Sequence, residues 1–95
     1  MRKSHNKLLR LSAEKNHQAF KELYDQTSPT VYSLILHFLR RKYLAEEVLQ
    51  EVYQEVWHSC SSYNRQKSSV INWMLEITKN KVASRLRVKK KCVLN

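Results

Sequence analysis

The chain is 95 residues long, near the lower limit for one self-supporting core, with no Gly, one Pro, two Cys and a net charge of +10. Without Gly it has no phosphate-cradling loop of the nucleotide-binding kinds, and Cys60 and Cys92 make neither a disulfide framework nor a metal-ligand spacing. No apolar stretch is long enough for a signal peptide or a membrane span, so a soluble, cytoplasmic protein with reduced thiols is expected.

Residues 4–13 carry Leu8, Leu9 and Leu11 among polar and basic neighbours and predict a short helical stretch. Asn16 is a candidate N-cap for the next helix, because its side-chain carbonyl can accept from a free N–H of the first turn. Phe20, Leu23, Tyr24, Thr27, Val31, Leu34, Ile35 and Phe38 then hold helical spacing to about Arg41. Pro29 interrupts this run, yet the apolar phase crosses it unbroken, which predicts two nearly coaxial segments or one kinked helix.

Residues 44–60, LAEEVLQEVYQEVWHSC, hold the clearest pattern. Ala45, Val48, Leu49, Val52, Tyr53, Val56, Trp57 and Cys60 form an apolar stripe, while Glu46, Glu47, Gln50, Glu51, Gln54 and Glu55 take the other faces. Residues 59–69, SCSSYNRQKSS, read as a polar loop, with Ser68 or Ser69 capping the last helix. Val70, Ile71, Trp73, Met74, Leu75 and Ile77 make the first half of that helix apolar nearly all round, so it should be central. From Lys79 onward only Val82, Ala83 and Leu86 keep an apolar line. The expected fold is all-α: one domain over residues 1–95, a compact bundle of three main helices plus a short N-terminal helical segment. No strand or repeat is evident.

The charge is unevenly spread: +6 over residues 1–43, −4 over 44–64 and +8 over 65–95. Residues 77–91 hold seven Lys and Arg and no acid, more than a helix dipole alone would favour. Clustered cations on one helix gain affinity for nucleic-acid phosphates by releasing counterions. An anionic membrane is a poorer partner, because residues 79–91 lack a wide Trp, Phe and Leu face. The preceding loop sets Tyr63, Asn64 and Gln66 beside Arg65 and Lys67, groups that can stack on and hydrogen-bond to unstacked bases. Glu47, Gln50, Glu51 and Gln54 lie at i, i+3, i+4 and i+7, one line that would repel DNA and suits a basic protein surface. Such a body could hold protein on one side and nucleic acid on another, provided the C-terminal Lys and Arg do not neutralise those carboxylates.

Catalysis finds little support. His5, His17, His37 and His58 are scattered, and His58 and Cys60 point about 160° apart on a helix turning ~100° per residue. No catalytic residue, metal or cofactor is expected.

The stretches AFKELYDQTSPTVYSLILHFL, LAEEVLQEVYQEVW and SYNRQKSSVINWMLEITKNKVASRLR, in that order, resemble region 2 of the bacterial RNA polymerase sigma factors of the extracytoplasmic-function (ECF) group. The similarity runs over about residues 16–91 and is carried mainly by Ala45–Tyr53 and by Trp73–Asn80 followed by Arg85 and Arg87. The resemblance implies that Glu47, Gln50, Glu51 and Gln54 dock on the clamp coiled-coil of the polymerase β′ subunit. It also implies that Tyr63, Asn64, Arg65, Lys67 and Asn80 read the −10 promoter element, with Lys81, Arg85 and Arg87 on its phosphates and Trp73 in the core. Leu44, Glu47 and Ser84 stand where the family more often has an acid or cap, Asp and Asp, and the Gly often found in the loop is missing. No helix-turn-helix domain to read a −35 element follows residue 91, so the chain is expected to be a shortened piece or to act without that contact.

The implied function is transcription initiation by a non-enzymatic domain, a monomer when free, that binds core polymerase and helps melt promoter DNA. An anti-sigma factor is an optional further partner. Two alternatives stay open: a stand-alone helical DNA-binding regulator, and a protein-interaction module that binds polymerase or an anti-sigma factor without reading promoter DNA.

Overall fold

A computed structural model describes the backbone of residues 3–94 and the side chains of residues 3–87. Cys92 and the side chains of Lys89–Lys91, part of the basic run, lie outside the described side chains. The architecture is the expected all-α bundle, built from α1 (His5–Ala13), α2 (His17–Leu39), α3 (Lys42–Ser59) and α4 (Val70–Leu94), with a single 3-10 turn at Cys60–Ser62.

Side-chain caps fix three helix starts. Ser4 Oγ accepts from Lys7 N at 3.2 Å, Asn16 Oδ1 from Ala19 N at 3.1 Å, and Ser69 Oγ from Asn72 N at 3.2 Å. Of the two candidate caps for α4, Ser69 therefore does the capping. α3 starts two residues earlier than its apolar pattern predicts, at Lys42 behind Arg41, with no side-chain cap.

With no Gly available, the chain turns its first two interhelical corners on other residues. Lys15 lies at φ 69° and Arg40 at φ 60°, the left-handed region that costs a non-Gly residue roughly 1 kcal/mol. Arg40 donates its N–H to Leu36 O at 2.8 Å, which ends α2 at Leu39, just short of the expected Arg41.

Pro29 sits inside one continuous α2. Its ring faces solvent, while Leu23, Thr27, Val31 and Ile35, four residues apart, are all buried on the other side. Burial of that line outweighs the one backbone bond that Pro29 cannot make.

α2 packs against each of the other three helices, and α3 packs on α4. Leu8, Leu9, Leu23, Ile35, Val48, Val52, Val56 and Met74 form the centre of the core. Thr27 also lies there, donating its hydroxyl hydrogen to Leu23 O at 2.7 Å. Its oxygen is therefore left to accept from Tyr53 Oη, 2.5 Å away.

Some expected core positions are not buried. Phe38 is 48% exposed and Leu86 38% exposed, Ala83 is exposed, and Trp57 and Trp73 are only half-buried. Among the described residues, no helix is long and apolar enough to cross a membrane.

Candidate nucleic-acid and protein interface

The outer face of α3 carries the polar line anticipated from its spacing. Glu47, Gln50 and Gln54 are exposed and Glu51 is half-exposed. Beside Gln50 and Gln54 opens a depression of about 370 Å³ walled by Phe20, Tyr24, Tyr53 and Trp57. These rings hold one another edge-on, Tyr24 to Tyr53 at 4.6 Å and Phe20 to Trp57 at 5.0 Å between centroids. His17 stacks on Trp57 at 4.8 Å, and Lys15 Nζ lies 5.3 Å from the same ring.

The two signs of charge are less separate than the sequence suggested. Arg85 hydrogen-bonds to Glu51 and lies 3.5 Å from Glu47, and Lys81 reaches Glu55 at 3.1 Å. The premise that the middle-helix carboxylates stay clear of the C-terminal cations is thus corrected. Ile77, Lys81 and Arg85 are four residues apart, so they share the edge of α4 that meets α3. The hydrogen bond to Glu51, more than any other effect, raises the Arg85 pKa above its ordinary value, and the charges of Glu51 and Glu47 add to it. The side chains of these pairs are 31–54% exposed. Exposed pairs contribute at most about 1 kcal/mol and exchange readily, so a partner can compete for either side.

The remaining α4 nominees lie elsewhere. Asn80 and Arg87, both exposed, are seven residues apart and so share one face, turned from the seam with α3. The eight nominated nucleic-acid residues therefore divide: Lys81 and Arg85 at the seam, Asn80 and Arg87 outside it, and four on the loop.

The loop is braced from within. Tyr63 is half-buried, its ring 5.4 Å from that of Trp73, and its hydroxyl donates to Ser68 O at 2.7 Å. The Asn6 side-chain amide sits 3.2 Å from the same hydroxyl and ties α1 to the loop. Asn64 Oδ1 accepts from Gln66 N at 2.9 Å, closing a turn that leaves Arg65, Gln66 and Lys67 exposed at its tip. Tyr63 and Asn64 thus shape the loop, while Arg65 and Lys67 face outward.

Between α1 and this loop runs a groove of about 530 Å³, whose lining includes Lys7, Arg10, Tyr63 and Arg65. Reading the sequence did not anticipate a role for α1. Lys7 and Arg10, at i and i+3, form a basic pair visible in the sequence, but the element it faces is set by tertiary packing.

Residues 23–92 match the family model described as Sigma-70 region 2. The chain belongs to the Sigma-70 region 2 family. Among its relatives in this family is the ECF RNA polymerase sigma factor SigK of Mycobacterium tuberculosis (strain ATCC 25618 / H37Rv). The two are 38% identical over 80 residues, which is 84% of this chain and 43% of that protein. The SigK of Mycobacterium ulcerans (strain Agy99) is 38% identical over 82 residues, 86% of this chain and 44% of the relative. That of Mycolicibacterium vanbaalenii is 36% identical over 80 residues, 84% and 41% of the two chains. The chain spans about two-fifths of the length of these curated relatives. As a Sigma-70 region 2 domain it is non-enzymatic, and it is all-helical over the described residues. The family match begins within α2, so α1 and its share of the groove lie before it.

Proposed function

We propose that this region 2 domain docks on the β′ clamp coiled-coil of core RNA polymerase through α3 and holds the opened −10 element with its loop and α4. The observation that carries the reading is the separation of two exposed polar faces. Gln50 and Gln54 flank an aromatic depression on one side, and Arg65, Lys67, Asn80 and Arg87 stand free of the α3–α4 seam. Glu47 and Glu51 join the first face by exchanging Arg85 for cations of the polymerase. Lys81 and Arg85 then become available to phosphate.

The domain makes and breaks no bond. Each base that leaves the stack costs a few kcal/mol, recovered by stacking and by hydrogen bonds to its edge. A cytoplasmic location follows from such a partner.

The test is retention of purified core polymerase on the immobilised chain. The unchanged chain should retain polymerase and Gln50→Ala/Glu51→Ala should lose it. Failure of the unchanged chain to retain polymerase would defeat the proposal. The seam favours one second reading, a module that binds polymerase or an anti-sigma factor without reading DNA, because Glu51 and Glu55 already hold Arg85 and Lys81. On that reading Asn80→Ala/Arg87→Ala would leave promoter-dependent transcription unchanged.

A further inference from the structure

We infer that the groove between α1 and the loop is a binding site for a nucleotide of single-stranded DNA, with Lys7 and Arg10 of α1 on its phosphates. This rests on the proposed strand-holding role of the loop and extends it to an element that lies before the family match.

Three cations, Lys7 and Arg10 from α1 and Arg65 from the loop, line one recess. No acidic residue is among its lining, so nothing there offsets their attraction for phosphate. Leu9, Ala13 and Cys60 give it an apolar wall, against which a base can lie once it has left the stack. Its volume of about 530 Å³ falls in the range of small-molecule sites, roughly 300–1,000 Å³.

The two walls are held in register. Tyr63 Oη donates to Ser68 O at 2.7 Å and lies 3.2 Å from Asn6 Oδ1, which sets α1 against the loop. A preorganised recess loses less entropy on binding than two free segments would. A paired base is not free to enter a recess of this kind, so the chemistry favours an unpaired strand over duplex. The groove is also continuous with the loop through Tyr63 and Arg65. A strand gripped by the loop therefore runs on past α1 without crossing the acidic face of α3.

The experiment measures binding of a fluorescent, A/T-rich single-stranded oligonucleotide to the full chain across a salt series. Lys7 and Arg10 are exposed, so Lys7→Ala/Arg10→Ala should fold, as circular dichroism checks. Each phosphate contact on a single strand contributes roughly 0.7 to the slope of log affinity against log salt, so the double variant should lower the slope by about 1.4. Lys21→Ala/Lys42→Ala, which removes the same charge outside the groove, should leave it unchanged. Lys7→Arg/Arg10→Lys should restore it, which a purely structural role would not require.

A slope in Lys7→Ala/Arg10→Ala equal to that of the unchanged chain overturns this inference and leaves the loop and α4 reading intact. Equal losses in Lys7→Ala/Arg10→Ala and Lys21→Ala/Lys42→Ala overturn it too, showing only diffuse attraction. Displacement of the oligonucleotide by an acidic peptide of the same charge would assign the groove to protein instead. Absence of any binding by the unchanged chain would bring down the strand-holding reading, and this inference with it.

Discussion

A single hydroxyl contact shows how polar chemistry is placed inside this small core. Thr27 and Tyr53 both occupy apolar stripes in the sequence, and both are buried. Thr27 donates to Leu23 O, which obliges Tyr53 to be the donor in the bond between the two hydroxyls. Burial pushes the Tyr53 phenol up to about 12. Because the folded value lies above the ordinary one near 10, this group's contribution to stability is fully present below about pH 10. It is lost as the pH rises toward 12. Tyr53→Phe should cost about 1 kcal/mol at pH 7 in urea denaturation and remove this part of the alkaline loss. An unchanged midpoint at pH 7 would show that the bond contributes nothing net. The stripes marked both positions as core, but the match between their hydroxyls depends on the register of α2 against α3, which neither stripe encodes.

At the scale of the element, α2 sets a local preference against a long-range one. Pro29 lies at its middle, lacking the N–H that would have bonded to Asp25 O. Pro29→Ala should therefore stabilise the bundle by about 1–3 kcal/mol, read as a higher urea midpoint with an unchanged denaturant slope. A lower midpoint would mean that α3 and α4 depend on whatever bend Pro29 imposes. The common apolar phase of this helix was legible because Leu23, Thr27, Val31 and Ile35 keep step across the Pro, but that phase fits two coaxial segments as well as the single helix observed. The Asn16 cap was legible for a similar reason, since its chemistry is local. The corners were not: Lys15 and Arg40 carry no sign in the sequence of a left-handed backbone, and the usual marker, Gly, is absent. The polar site was half legible. Spacing placed Gln50 and Gln54 on one face of α3, and the family resemblance nominated Asn80 and Arg87, but neither could say which edges of α3 and α4 would meet. Ile77 held the missing clue, because Lys81 and Arg85 continue its line.

For the molecule as a whole, the decisive feature is that Arg85 stands between the two proposed faces. Removing its carboxylate partners tests whether that seam is structural or exchangeable. Glu47→Gln/Glu51→Gln should destabilise the fold by no more than about 1 kcal/mol, because the pairs are exposed. On the proposed function it should also tighten single-stranded DNA binding more than Glu14→Gln/Glu22→Gln, which changes net charge equally. Adding Arg85→Ala should abolish that difference. A stability loss of several kcal/mol, or equal DNA binding by the two double variants, would show that the seam is fixed scaffold.

One guanidinium cannot serve two masters at full strength. While the carboxylates of α3 hold Arg85, the domain withholds a positive charge from any strand that approaches; once another protein claims those carboxylates, the charge is released. On the proposed function, reciprocity requires that a strand holding Arg85 also leave α3 more receptive to its protein partner. Recruitment and promoter grip would then reinforce each other through the reorientation of one side chain, with no movement of the helices that carry it.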